Sequence, residues 1–210
     1  MLLAVSGGLM DAYSYLQRGG VFANAQTGNI VLFSINLTTG SFAAAVRYIF
    51  PVAAFAVGIA LASILRFRYK NLPRVHWRQI VVLVEAILLF CVAFVPQSLN
   101  FLANGLISLA CGAQVESFRK IGSSGMGIAT TMCIGNLRSG IHAMCEYRIT
   151  RDKSAFEKGL SAFAIIAGFA LGAICGNFLI GFWGEKAIFA SSLAMLVAFG
   201  AMLIRRKEEE

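Results

Sequence analysis

The sequence predicts an all-α, polytopic membrane protein, and three observations predict it. Hydrophobic residues make up 58% of the 210-residue chain, charged residues only 13%, and the mean hydropathy is +0.75. A soluble domain cannot keep so apolar a surface wet. Apolar runs recur along the chain at close to the ~20 residues a helix needs to cross a bilayer. These runs do not alternate polar with apolar positions, as the strands of a transmembrane barrel would.

In chain order, the opening MLLAVSGGLMDAYSYL carries Asp11 and lacks the basic start of a secretory signal, so it reads as a retained first helix. Further spans are expected at Phe42 to Leu65, Trp77 to Val95, Leu99 to Gln114, Ala155 to Phe182 and Ala187 to Ile204. That gives about six full transmembrane helices in a single membrane domain, 1–210, with no segment long or polar enough for a soluble catalytic domain. Two stretches break the pattern. Gly8 to Asn36 and Gly112 to Gly140 hold carboxylates, amides, threonines and clustered glycines, and each reaches a Gly-Asn pair, Gly28-Asn29 and Gly135-Asn136. Polar groups are costly in hydrocarbon unless satisfied, so these stretches are expected to be broken segments lining a protein interior or a watery cavity.

The formal charge of +8 belongs to the loops. Arg66, Arg68, Lys70, Arg74 and Arg78 crowd one short loop without an acid, which the positive-inside rule reads as cytoplasmic. Anionic lipid headgroups are the expected partners of that loop; nucleic acid would need a folded soluble platform, and the sequence has no room for one. His76 and Trp77 flank it as interfacial anchors. The next helix runs outward to Pro96-Gln97-Ser98, and the following one returns Arg119 and Lys120 to the inside. Arg148, Arg151, Lys153 and Lys158 should also be inside, yet one hydrophobic segment, Ile121 to Tyr147, lies between the two clusters. Its GSSGMG start, its threonine pair, its Gly-Asn pair and Arg138 make it a poor lipid-facing helix, so re-entry from one side is favoured. Eight full spans is the alternative. The C-terminal Arg205, Arg206 and Lys207 then fall in the cytoplasm.

The two polar stretches resemble each other. Gly28-Asn29 aligns with Gly135-Asn136, and VGIALASI at Val57 to Ile64 aligns with AGFALGAI at Ala167 to Ile174. A weak two-fold repeat with halves 1–97 and 98–210 follows, each half holding an odd number of crossings, so the halves would be inverted. Inverted repeats with broken helices meeting near the midplane are a common build of secondary transporters.

The runs GGLMDAYSYLQRGGVFANAQTGNIVL and GAQVESFRKIGSSGMGIATTMCIGNLRSG also resemble the YoaK family of bacterial multipass inner-membrane proteins, a domain of unknown function. The resemblance covers nearly the whole chain. It implies a bacterial plasma-membrane protein and leaves the substrate open. Its motif residues fall on Asp11, Ser14, Gly19, Gly20, Asn24, Thr27, Gly28 and Asn29, and on Gln114, Arg119, Thr130, Thr131, Gly135 and Asn136. The family has a longer lead-in before the first helix, so the natural chain is expected to begin somewhat earlier.

Candidate ligand or ion contacts are Asp11, Asn24, Gln26, Thr27 and Asn29 from the first stretch, and Thr130, Thr131, Asn136 and Arg138 from the second. A helix broken at glycine frees backbone groups whose partial charges bind ions or polar ligands. A lone carboxylate such as Asp11 must be paired, protonated or facing water, which suits proton or cation coupling and equally a structural hydrogen bond. Glu85, within VVLVEAILL, is expected to face the bundle and find a partner there. Glu116 has Arg119 and Lys120 three and four residues on, the spacing of a helix-end ion pair. Arg138 would favour an anionic group, or would snorkel to an interface.

Other chemistry finds little support. Arg138, His142 and Glu146 share a helical face, as a proton relay requires, but anchoring at an interface explains them as well. A metal site of His142, Cys145 and Glu146 lacks a second histidine, and no metal or cofactor is expected. Cys91, Cys111, Cys133, Cys145 and Cys175 are odd in number with no CxxC spacing, so they read as small packing residues. No P-loop, HExxH or G-x-S-x-G motif occurs, and an intramembrane hydrolase built on Ser123 or Ser124 with His142 would lack the setting of a nucleophile elbow. The expected function is a transporter or channel for a small solute or ion, with a polar site between the two Gly-Asn segments. The rival is a non-transporting scaffold or assembly factor whose polar segments only hold helices together. Gly168, Gly172 and Gly176 permit tight packing within a chain or between copies, so a homo-oligomer is left open.

Overall fold

A computed structural model of the chain describes residues 1–69, 76–119 and 131–209, and of 205–209 the backbone alone. Lys70, Arg74, Lys120, the GSSGMG run with Ser123 and Ser124, Thr130, and the side chains of Arg205, Arg206 and Lys207 lie outside the described residues. Among the described residues every regular element is helical: α1 (Leu2–Gln17), α2 (Gln26–Thr38), α3 (Phe42–Tyr69), α4 (Trp77–Val92), α5 (Asn100–Ser117), α6 (Cys133–Thr150), α7 (Lys153–Trp183) and α8 (Phe189–Glu209). Three helical stretches, Phe42–Tyr69, Gln97–Ser117 and Lys153–Ile204, are long and apolar enough to cross a membrane. The α2 helix is not: its 13 residues rise about 20 Å against a hydrocarbon core of about 30 Å.

Local chemistry sets the helix ends. His76 caps α4, accepting the Arg78 N–H at 3.2 Å while Gln79 accepts the His76 N–H at 2.9 Å, a reciprocal pair that satisfies two donors of the first turn. Asp152 caps α7 by accepting one backbone donor, the Ser154 N–H, at 2.9 Å. Gly19 and Gly20, with φ of 88° and 77°, let the chain reverse after α1 in a conformation other residues rarely adopt.

Two helix pairs form the frame. In the first, α1 and α7 run side by side in the same direction, Met1 lying by Gly168, Val5 against Gly172 and Leu9 against Gly176. In the second, α5 and α3 run together: Phe50 stacks on Phe101 with centroids 3.8 Å apart, Gly58 and Gly112 meet at the crossing, and Arg66 reaches Glu116. Lipid tails are as apolar as leucine, so helices in a membrane gain by close approach rather than by burial from water. Glycine at both crossings permits that approach. The α4 and α8 helices pack together beside the two pairs, with the Ser192 hydroxyl donating to the Ala86 carbonyl at 2.8 Å.

Side-chain bonds define the two ends of the bundle. At the first end Arg18, fully buried, donates to the Tyr13 hydroxyl at 2.9 Å, to Asn100 Oδ1 at 3.1 Å and to the Val92 carbonyl at 3.2 Å, while Tyr13 donates to the Glu185 carbonyl at 2.8 Å. These bonds gather the C-terminal ends of α1, α4 and α7 and the start of α5. At the second end Arg78 donates to the Ser117 carbonyl at 2.8 Å, Gln79 to the Met202 carbonyl at 3.1 Å and Gln114 to the Leu3 carbonyl at 3.0 Å. Arg18→Met is expected to leave the Tyr13 hydroxyl and Asn100 Oδ1 without their donor, while the Val92 carbonyl keeps the Val95 N–H, and to cost about 3–5 kcal/mol. A thermal melt in detergent checks this, and an unchanged midpoint would rule out the Arg18 network as a stabilising element.

Candidate functional site

After α1 the chain turns back from the first end into the interior. Asn24 reaches the middle of α1, its N–H donating to Asp11 Oδ1 at 2.7 Å and its Nδ2 to the Gly7 carbonyl at 3.1 Å. The α2 helix starts there and climbs back to the first end, where Gly40 with a φ of 76° turns it into α3. The α6 helix also starts in the middle. Thr131, just before it, packs its methyl on Gly7 near the Phe169 ring, and α6 then descends to the second end, where Arg151 in the left-handed conformation turns it into α7.

The α2 and α6 helices therefore both begin at mid-depth on one cavity of about 460 Å³, without touching each other. The first half supplies Asp11, Asn24, Gln26, Thr27 and Phe55, and the second supplies Val115, Thr131, Cys133, Gly135 and Phe169. Asp11 is 8% exposed and Thr131 7% exposed. Among the described residues, Asn24 Oδ1 and Thr131 Oγ1 have no hydrogen-bond partner. An unsatisfied buried polar atom costs about 1–3 kcal/mol, so a partner supplied from the cavity would be stabilising.

The remaining candidates scatter. Asn29 does not line the cavity: its Oδ1 accepts the Phe22 N–H at 3.0 Å and its Nδ2 donates to the Phe22 carbonyl at 2.7 Å and to Gln26 Oε1 at 2.8 Å. It pegs the inbound chain to α2. Gln26 Nε2 is held by the Ala23 carbonyl at 2.6 Å. Asn136 is buried one turn into α6. Arg138 is exposed and lines an adjoining groove with His142 and Cys145 rather than the cavity that holds Asp11. Glu116 forms an ion pair with Arg66 at 3.6 Å, fastening α5 to α3. Glu85 is buried on α4 with both carboxylate oxygens lacking a partner among the described residues. Sequence reasoning passed over Arg18, which the structure buries completely among Tyr13, Val92 and Asn100.

A family model described as "Protein of unknown function (DUF1275)" matches residues 1–201. The chain belongs to this family. Among curated proteins it is similar to the UPF0700 transmembrane protein YoaK of Bacillus subtilis (strain 168), 27% identical over 145 residues that cover 66% of this chain and 62% of that protein. The match thus spans less than two thirds of the relative's length. No solved structure matches the chain. Family membership and the apolar helices agree on a membrane protein, and the DUF1275 description carries no activity.

Proposed function

We propose that this DUF1275 protein is a transporter or channel that passes a small polar solute or ion through the cavity between α2 and α6. The observation that carries the reading is that α2 and α6, one from each half of the chain, start at one cavity lined by a buried carboxylate. Their N-terminal ends present backbone N–H groups and partial positive charge at mid-depth, the arrangement that broken-helix transporters use to hold substrate. In this reading six helices cross the bilayer, while the chain before α2 and the chain before α6 re-enter from opposite sides. The bundle lies in a bacterial inner membrane, with Arg66, Arg68, the C-terminus and their headgroup partners on the cytoplasmic side.

An inverted repeat belongs to the same proposal. What supports it is reciprocity in packing: α1 docks on α7 as α5 docks on α3, α2 forms a hairpin with α3 as α6 does with α7, and α4 pairs with α8. Gly8 meets the Phe169 carbonyl and Gly172 the Val5 carbonyl; Gly112 meets the Phe55 carbonyl and Gly58 the Leu109 carbonyl. On this correspondence Gly58 matches Gly172, one helical turn from its sequence alignment with Gly168. Asp11 is matched by Val115 rather than by Glu116.

Purified protein in liposomes, assayed for flux against a broad panel of ions and small solutes, tests the function; no flux for any of them would leave the scaffold reading in its place. The topology has its own test. Cysteines placed at Gly122 and Arg151 are expected to react with an impermeant maleimide from the cytoplasmic side of intact cells, and cysteines at Gly20 and Gly40 from the opposite side. Labelling of Gly122 and Arg151 from different sides would exclude re-entry.

A further inference from the structure

We propose that the cavity takes a small zwitterion of the amino-acid class, its carboxylate at the start of α6 and its ammonium group at Asp11. This deepens the transport reading and rests on it for the pairing of the two halves. At the start of α2, the Asp11 carboxylate takes the Asn24 N–H at 2.7 Å and supplies the negative charge that a helix N-terminus favours. The α6 helix starts at the same cavity without that group. No side chain caps it among the described residues, and on the proposed repeat Val115, which lines the cavity, takes the position that Asp11 has at α2. Beside this end Thr131, 7% exposed, has a hydroxyl with no partner. A ligand carboxylate there accepts from the first-turn N–H groups of α6 and from the Thr131 hydroxyl, repeating what Asp11 does for α2.

The opposite pole offers acceptors. The backbone N–H of Asn24 is committed to Asp11 and one Nδ2 hydrogen to the Gly7 carbonyl, while its Oδ1 has no partner among the described residues. Together with the Asp11 carboxylate this suits an ammonium group, which donates three hydrogen bonds and accepts none. Charge decides between a zwitterion and either half alone. Each helix N-terminus carries about half a positive charge, so the two together balance Asp11. A ligand with no net charge keeps that balance, whereas a lone anion adds a second negative charge near Asp11 and a lone cation adds a positive charge before two positive helix ends. Phe55, Phe169 and Val115 give an apolar wall for the rest of the molecule.

The test is equilibrium binding to the full chain, purified in detergent, by calorimetry and thermal shift, with alanine and leucine as probes against sodium propionate and propylammonium chloride at matched ionic strength. An amino acid is expected to bind about tenfold or more tightly than either half-molecule, because each half forfeits a charge-assisted pole. Val115→Asp places a carboxylate at the α6 end and is expected to remove amino-acid binding while raising the melting midpoint. Thr131→Val is expected to weaken binding about tenfold with its fold intact. Propionate or propylammonium binding as tightly as the amino acids would overturn the proposal, as would wild-type affinity in Val115→Asp. If Val115→Asp does not fold, wild-type affinity in Thr131→Val overturns it instead. Flux of some other solute without amino-acid binding sinks this inference and leaves transport standing; amino-acid binding without flux of any solute does the reverse.

Discussion

Gly58→Leu is expected to prevent α3 from docking on α5, leaving little folded protein in detergent. A Cβ added at Gly58 would meet the Leu109 carbonyl oxygen, with the Ala113 backbone nitrogen 3.0 Å away. Neither is the far end of a flexible side chain, so the helices themselves must move apart. Even alanine is expected to cost about 1–3 kcal/mol, the usual penalty of overpacking, and leucine more. Gly112→Ala, Gly8→Ala and Gly172→Ala should behave alike, since each meets a backbone carbonyl of the partner helix. Gly181→Ala is the control: among the described residues nothing lies within 4 Å of the added atom, and alanine favours the helix by up to about 1 kcal/mol. Thermal melts and size-exclusion profiles separate these outcomes. A Gly58→Ala protein that melts with the wild type would refute the close backbone approach.

Asp11→Asn is expected to fold and to lose flux. The amide oxygen can still accept the Asn24 N–H, so the inbound chain keeps its anchor on α1. What disappears is the charge that faces the cavity. A charge-assisted hydrogen bond is worth about 1.5–3 kcal/mol, so solute affinity and flux should fall by about 10- to 100-fold. The melting midpoint reports the fold and liposome flux reports the function; full flux in a stable Asp11→Asn protein would remove Asp11 from the mechanism.

Much of this is legible in the sequence for simple reasons. Hydrocarbon penalises unpaired polar groups so strongly that Asp11 and Thr131 stand out by residue type and position alone, and both are buried; half-buried Asn24 and exposed Thr27 line the same cavity. The same logic does not tell a ligand contact from a chain anchor. Asn29 reads as the former and is the latter, because the amide spacing that suits a ligand also suits the Phe22 backbone. Arg138 is drawn toward the site by chain proximity, but it lies on an exposed face of α6, and the direction of a side chain around a helix depends on where the helix starts. The packing of α1 on α7 is not readable either. Small-residue helices match one another in several registers, and only the backbone contacts at Gly8 and Gly172 distinguish them.

The α1 helix docks on α7 and α5 on α3, so each pair joins elements far apart in the chain. During synthesis α1 is therefore made long before its partner exists, with Asp11 and the Gly7-Gly8 face still uncovered. The first four helices are not a folding unit, and a nascent chain halted after α4 holds two unpartnered surfaces that only later sequence can cover. Severing the chain at Pro96-Gln97-Ser98 should yield two pieces that are unstable when made singly and reassemble when made together.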